Sequence, residues 1–538
     1  MPHKNDKKRF LNLIGNTNMI KLILTIILFC IALSGFTQKT DIEILSNEKN
    51  IGKVIATGQE IQAIEYNFPE RIHHSYIDTT SNRLTIQLRG VRNEKWLHNK
   101  GHIIQYDLAN RKIQWTKKVA YQVDNYEQFG STIVKTSGGK SYLLNSYNGE
   151  PLWEIKNALY HINSVYKIGI GYKVKTMSGI TNTLEGINLS DGKEVWKREV
   201  SRDYSWNNLF YLNDSTLMAV ASGLHTINIK DGTGWDYDAK TGKKDYKEAA
   251  VVNALGVVAG ILTGTFVTST GANLVRDVVS NVIADSTNFY IASKEKIAKI
   301  DKKKGRVIWS STLPEKETSK STIFTKDGKI YMVNKGFAYM GYRKLDFGTP
   351  FFAAFDQNTG KELFLNLMID DKKGVVEDFK LDNNFIYFLF KNRIDKYNLE
   401  TGLKVKTKEF NMKELGELSG ILGNQVFLPQ PDSTYKSYNL LDTNRINFVT
   451  VKNKIITFDK DLTFLEQKEM DNIWIYYLKS SDYKFIANAS KTIILDENNK
   501  IVAALSATNK STLIGSKLYD FTEKSFLVID LEAILKKY

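Results

Sequence analysis

Apolar and polar residues alternate over short runs for most of this chain. "STIVKTSGGKSYLLN" (131–145) and "TNFYIASKEKIAKID" (287–301) are representative. A period of two places one apolar face per strand, and the Gly, Asn and Asp clusters between runs are turn signals, so these segments predict antiparallel hairpins. One stretch breaks the alternation. "AAVVNALGVVAGILTGTFVTSTGANLV" (249–275) contains no charged residue.

The alternating runs recur with a marker. "YDLANRKIQW", "LNSYNGEPLW", "INLSDGKEVW", "IDKKKGRVIW" and "FDQNTGKELF" each carry Asp or Asn, a turn, then Trp or Phe eight residues on. The pairs are Asp107 with Trp115, Asn145 with Trp153, Asn188 with Trp196, Asp301 with Trp309, and Asp356 with Phe364. Gly149, Gly192, Gly305 and Gly360 follow their anchors by four residues, and Arg111 takes that place in the first copy. Weaker copies start at Asn228 and Asn398, and beyond them "ITFDKDLTFL" and "IILDENNKIV" keep a strand–turn–strand character. The anchor side chain can accept backbone N–H groups, and Gly supplies a positive φ. With the preceding strands, each copy predicts a four-stranded antiparallel sheet of about forty residues, a propeller blade.

The pattern Asp/Asn-x-x-Thr-Gly-x-x-x-Trp resembles the tryptophan-docking repeat of quinoprotein-like β-propellers, whose units are also called pyrroloquinoline-quinone-like (PQQ-like) repeats. The resemblance covers roughly residues 107–406. It implies an all-β fold: a single β-propeller of about eight blades, with length for up to ten. In that family the Trp packs between neighbouring blades. Oxidoreductases of this fold carry a vicinal Cys-Cys pair against the quinone and a calcium-ligating acidic set. Members without the cofactor act as scaffolds, and this sequence sides with them.

The 538 residues hold a single Cys, Cys30, in the apolar run "LILTIILFCIAL" (22–33) behind Lys7, Lys8 and Arg9. That arrangement predicts a signal peptide over 1–38 and the propeller over 39–538. Removal of the leader leaves no Cys, which excludes thiol nucleophiles, Cys-ligated zinc and the vicinal pair. An exported protein, periplasmic or on the cell surface, is the expectation. The formal charge of +15 falls to +11 without the leader. No aromatic-plus-basic recognition motif accompanies it, so it reads as a Lys-rich surface with no nucleic-acid partner.

Site chemistry is sparse. "HH" (His73, His74) is not a metal spacing on either a helix or a strand, since neighbours on a strand point to opposite faces, and it reads as a solvent-exposed loop pair. "HNKGH" (His98 to His102) reads as a loop. "DYDAKTGKKD" (236–245) fails the calcium-loop pattern at Lys240 and Thr241. "DDKKGVVED" (370–378) reads as a solvated acidic loop. Trp96, Trp206 and Trp474 lie outside the repeat and are candidates for a ligand face. No catalytic, metal or cofactor residue is assigned, and no cofactor is expected.

The anchor step from Asn228 to Asp301 is 73 residues, against 38 to 43 for the earlier steps. The excess predicts a helical Gly-rich insertion over 246–284 between blades. Gly256, Gly260 and Gly264 would share one helix face and admit a close neighbour, a candidate interaction face. "TGANLVRDVVSNV" (270–282) is expected to be its second helix. The functional expectation is a noncatalytic cell-envelope binding or scaffold protein with a protein partner, the 249–282 segment being where membrane contact would occur. The alternatives are a secreted enzyme acting on carbohydrate or another polymer, and last a PQQ-dependent oxidoreductase.

Overall fold

The computed structural model describes residues 42–532, less 93–95, 176–178, 202–205, 222, 240–274, 277, 341–342, 369–373, 417, 422–424, 430–434, 440–443, 451, 453, 470–473, 480–481, 489 and 510. The chain divides into Met1–Leu45 and Ser46–Tyr538, and the account below concerns the second.

The fold is all-β. Successive four-stranded antiparallel sheets occupy residues 71–120, 124–155, 157–199, 208–238, 283–312, 321–367, 378–409 and 418–469, here called the first to eighth sheets. Each runs through its four strands in chain order, with the sixth and eighth interrupted by a hairpin. Beyond them, Trp474–Lys479 opens a group ending at Ile501–Leu505, and Thr512–Ile514 opens another ending at Ser525–Asp530. N-terminal segments join both. Gly52 to Val54 pair with Leu505 to Ala503, and Glu60–Asn67 pairs with Ser525–Asp530 through Ile64↔Val528 and Asn67↔Ser525.

Central strands of the fourth to sixth sheets are apolar on both faces, because each of these sheets packs against the sheet before it and the sheet after it. In the sixth sheet, Phe351, Ala353 and Phe355 pack with Tyr290 and Ile297 of the fifth. The alternate residues Phe352 and Ala354 pack with Phe388 and Tyr397 of the seventh. The same alternation joins the third sheet to the fourth (Ile170, Leu184 and Trp196 with Leu217 and Ile227) and the fourth to the fifth (Met218 and Leu224 with Ile291 and Ala298). Burial on both faces explains why "FFAAF" is continuous rather than alternating.

The insertion departs from expectation where it is described. Where 275–284 is described, it forms strand pairings and no helix. Val275–Arg276 pairs with Met340 and Tyr339, and Ile283–Ala284 is the first strand of the fifth sheet. Val278 and Val279 are buried, and Val279 packs against Ile291. The Val278 carbonyl accepts from Lys294, and Ser280 donates to the Ala292 carbonyl (2.8 Å). A β-branched run finds a sheet edge and an apolar wall here, whereas a thirteen-residue helix alone is marginal. Gly256, Gly260 and Gly264 lie outside the described residues. The α-helix Met412–Leu415 is a single turn, capped by Asn411, whose side chain accepts from the Lys413 amide (3.1 Å).

Candidate interaction surface

Each repeat turn is built from its anchor. The Asp107 carboxylate accepts from the amides of Ala109 (3.0 Å) and Asn110 (2.9 Å), and these bonds hold its pKa below the usual range. Asn145, Asn188, Asp301, Asp356 and Asn398 make the same contact to the amide two residues on, at 2.8 to 3.0 Å. The backbone closes with the Gly amide donating to the anchor carbonyl, as from Gly192 to Asn188 (2.8 Å). Gly149, Gly192, Gly305 and Gly360 sit at φ 71°, 72°, 66° and 75°, and Arg111 at φ 51°.

A second demand on that glycine comes from the preceding sheet. Trp115, Trp153, Trp196 and Trp309 each lie over the next copy's turn. A Cβ on Gly149 would stand 2.8 Å from the Trp115 ring, and one on Gly360 2.5 Å from Trp309. Each indole N–H donates to the carbonyl just after the next anchor: Trp115 to Ser146 (3.0 Å), Trp153 to Leu189 (2.8 Å), Trp196 to Ile229 (2.8 Å), and Trp309 to Gln357 (3.2 Å). The side chain two residues further reaches the glycine carbonyl itself, from Arg198 to Gly232 (3.0 Å) and from Ser311 to Gly360. Arg111 belongs to the first copy of the series, so no earlier repeat supplies an indole to the position it occupies.

Three copies vary the rule. In the Asn228 copy, Trp235 stands seven residues from the anchor, and its indole donates to the Lys302 carbonyl (3.1 Å) with Gly305 beneath it. The eight-residue spacing misses it. Phe364 covers Gly402 but has no N–H, and Asn366 donates to the Gly402 carbonyl instead (2.8 Å). In the Asn398 copy the docking position is Lys406, whose ammonium donates to the Asp461 carbonyl (2.6 Å).

These anchor turns join third to fourth strands. In an antiparallel meander they share an end with the first-to-second turns, while second-to-third turns and the links between sheets lie at the other end. That other end is elaborated. The first sheet extends a hairpin through Val91↔Leu97 and Arg92↔Trp96, the third through Lys175↔Gly179, and the sixth inserts a hairpin over 337–346 whose outer side pairs with Val275–Arg276. The link leaving the fourth sheet carries the charge-free segment. The exception is the hairpin of Gln425–Pro429 and Tyr435–Asn439, which lies between a first and a second strand and pairs with Trp474 and Ile475.

At the elaborated end of the first sheet, several residues read as unremarkable come together. The register shifts between Ile72 and His74, and the bulge brings the rings of His73 and His74 to 4.3 Å. This overturns the expectation of opposite faces, which holds only for a regular strand. "HNKGH", expected as a loop, lies within the strand Trp96–Asp107. Arg89 is 1% exposed, donates to the His98 carbonyl, and lies 4.7 Å from the Tyr121 ring centroid. The Tyr121 hydroxyl donates to the Leu88 carbonyl (3.0 Å), and His73 meets its ring edge-on at 5.0 Å. Burial, then His74 and the two nearby arginines, pushes His73 down to about 3, so it is neutral near pH 7. Glu70 and His102 approach to 3.7 Å. No group of three or more metal-ligating side chains exists among the described residues.

At the same end of the sixth sheet, the hairpin carries Phe337 under the Lys344 ammonium (4.1 Å), and Lys344 pairs with Glu377 (2.5 Å). Glu377, from the acidic stretch expected as a solvated loop, is largely buried with Oε1 lacking a hydrogen-bond partner. Asp236, from the failed calcium loop, accepts from His225 (2.7 Å) and from Arg198 of the preceding sheet. Trp206 does not face outward. Its indole donates to the Tyr172 hydroxyl (2.9 Å) and packs on the core shared by the third and fourth sheets. Trp96 and Trp474 lie on strands.

Residues 169–408 match the family model for the outer membrane protein assembly factor BamB. The BamB-type repeat thus covers the copies anchored at Asn188, Asn228, Asp301, Asp356 and Asn398, and over this segment the PQQ-like repeat resemblance is borne out. No curated protein matches the chain. Among solved structures, BamB from Moraxella catarrhalis is 11% identical with a TM-score of 0.30, covering 71% of this chain and 96% of its own. The computationally designed Ika8 protein is 8% identical at 0.29, covering 72% and 96%. KlHsv2 with loop 6CD replaced by a Gly-Ser linker is 7% identical at 0.27, covering 64% and 98%. Among the described residues no helix is long and apolar enough to cross a membrane.

Proposed function

We propose that this is an exported, noncatalytic scaffold of the cell envelope that binds a protein partner through the elaborated ends of its sheets. The observation that carries the reading is the asymmetry between the two ends. Five-residue anchor turns, covered by indoles of the preceding sheet, serve packing, while the opposite end carries hairpins and a long charge-free link that the four-stranded sheet does not need. Binding residues concentrate on loops held by a rigid scaffold. The match over 169–408 to a family named for outer membrane protein assembly supports an envelope location and a protein partner.

We read the whole as one propeller of ten four-stranded units, with Glu60–Asn67 completing the last beside Ser525–Asp530. Pairing of the first strands with the last supports closure, which removes exposed edges. The leader over 1–38 directs export, and Gly256, Gly260 and Gly264 remain the proposed contact face of the inserted segment.

The test is affinity purification from detergent-solubilised envelopes with the intact protein and a variant lacking 249–274. That deletion spares Val278 and Val279, which the fifth sheet needs. The expected result is loss of specific partners with retained folding. An unchanged partner list removes the inserted segment from the interface. Turnover of envelope polysaccharide by the purified protein would replace the scaffold with the enzyme reading.

A further inference from the structure

We propose that two copies of this chain pair edge to edge, across a two-fold axis, through the last strand of the fifth sheet, Val307–Thr312. Among the described residues, the last strand of each of the eight sheets has a strand neighbour on one side only. Such an edge offers its outer N–H and C=O groups to another strand, and charged side chains or proline commonly guard it. The seventh sheet ends on "KVKTKE" (404–409), the third on "EVWKRE" (194–199) and the second on "PLWEI" (151–155). Of the eight, only "VIWSST" (307–312) has neither a charged residue nor proline, and its Val307 and Ile308 are 46% and 52% exposed. An exposed apolar residue also precedes the docking ring elsewhere, as at Leu152 and Val195, so the missing guard is what sets this edge apart. Beyond the eight sheets, the strand "IVAAL" (501–505) is uncharged too, and there Gly52 to Val54 pair with it as an added antiparallel strand.

The Leu313 amide donates to the Glu295 carbonyl (2.8 Å), and Lys296 is the partner of Thr312. Hydrogen-bonded and open pairs alternate along an antiparallel ladder, so Ser310 and Thr312 point their N–H and C=O groups away from the fifth sheet. Two features fit a second copy as the occupant. The edge is compatible with itself: an axis through Ser310 sets Ile308 of one copy against Thr312 of the other, and no like charges meet. The flanks are complementary as well. Arg306 stands one residue before the strand, behind Lys303 and Lys304, while Glu315 stands three residues after it in the net acidic "EKE" (315–317). Lys303, Lys304, Arg306 and Glu315 are exposed, and none has an ion pair among the described residues. Antiparallel pairing brings the basic flank of each copy beside the acidic flank of the other, once at each end of the joined strands. The pairing does not depend on the scaffold reading.

The full chain is examined by sedimentation equilibrium and by hydrogen exchange, and it should dimerise at or below about 100 µM. Ser310→Pro removes an outward N–H that the fifth sheet does not use. Ile308→Lys places a guard on this edge, and Val405→Lys does the same on the seventh sheet. Circular dichroism checks folding, and Ile308→Lys carries the test if Ser310→Pro does not fold. The dissociation constant of the dimer should rise at least about tenfold in S310P and I308K and stay unchanged in V405K. Arg306→Glu should weaken the dimer, R306E/E315R should restore it, and raised salt should act like the single reversal. The proposal is overturned by a monomer at every concentration, by a dimer that the edge variants leave unchanged, or by a double reversal that does not restore association. Slowed exchange at Ser310 and Thr312 in a monomer, appearing only with envelope extract, would overturn it in favour of a strand from a different protein.

Discussion

A single position in each repeat turn carries two constraints, and they separate by substitution. Gly360 needs a positive φ and has the Trp309 ring above it, so Gly360→Ala should cost about 1–3 kcal/mol, read from the urea midpoint. Arg111 shares the positive φ and has no indole from an earlier repeat. Arg111→Gly should be neutral or stabilising by up to about 1 kcal/mol, because a left-handed non-glycine residue costs about 1–2 kcal/mol and glycine returns part of that as chain entropy. Glycine four residues from an anchor was legible in the sequence as a turn requirement. The indole above it was not, because it comes from the preceding sheet. His73 gives a pH signature. Its folded pKa, about 3, lies below the unfolded value near 6.5, so the unfolded chain takes up the proton first as pH falls. This contribution to stability is complete above about pH 6.5 and declines from there towards pH 3. His73→Gln should flatten the urea midpoint against pH in that window, and identical profiles would show that the bulged pair does not titrate as described.

At the scale of the element, sheets are joined by an indole N–H, a stacked glycine and one further polar side chain. Trp196→Phe keeps the ring over Gly232 and leaves the Ile229 carbonyl without its donor, at an expected cost of about 1–3 kcal/mol. Phe364 shows the same state occurring naturally, with Asn366 bonding the Gly402 carbonyl nearby. Asn366→Ala should therefore destabilise the sixth-to-seventh junction by a similar amount, whereas the exposed Lys361→Ala should fall within about 0.5 kcal/mol of zero. Chemical denaturation of the three variants on the same day makes the comparison. The seventh-to-eighth junction differs in kind. Lys406 donates to the Asp461 carbonyl, and Lys396 pairs with the Asp461 carboxylate (2.9 Å), so charge replaces the indole there. Trp235 was not legible from the eight-residue spacing because its strand is one residue closer to the anchor, and only the geometry over Gly305 places it in the series.

For the molecule as a whole, an early strand and the last described strand share a sheet. Glu60–Asn67 gives Ser525–Asp530 its outer partner. A chain starting at Phe68 would leave that strand with an open edge and should lose thermal stability and aggregate on gel filtration; monodisperse behaviour with unchanged melting would show the pairing to be dispensable. The repeat and its turns were determined by sequence alone, because an Asx contact, a positive φ and a two-residue alternation act within a few residues of one another. Tertiary structure alone decided the rest. Whether "VVSNVI" (278–283) is helix or strand depended on the edge of the fifth sheet. Whether His73 and His74 meet depended on a register shift against the second strand. Which end of the sheets is sealed and which elaborated depended on where each Trp lands in the next repeat. All three are set by pairing between segments apart in the chain, where local propensity is outweighed by burial and backbone hydrogen bonds supplied by a neighbour.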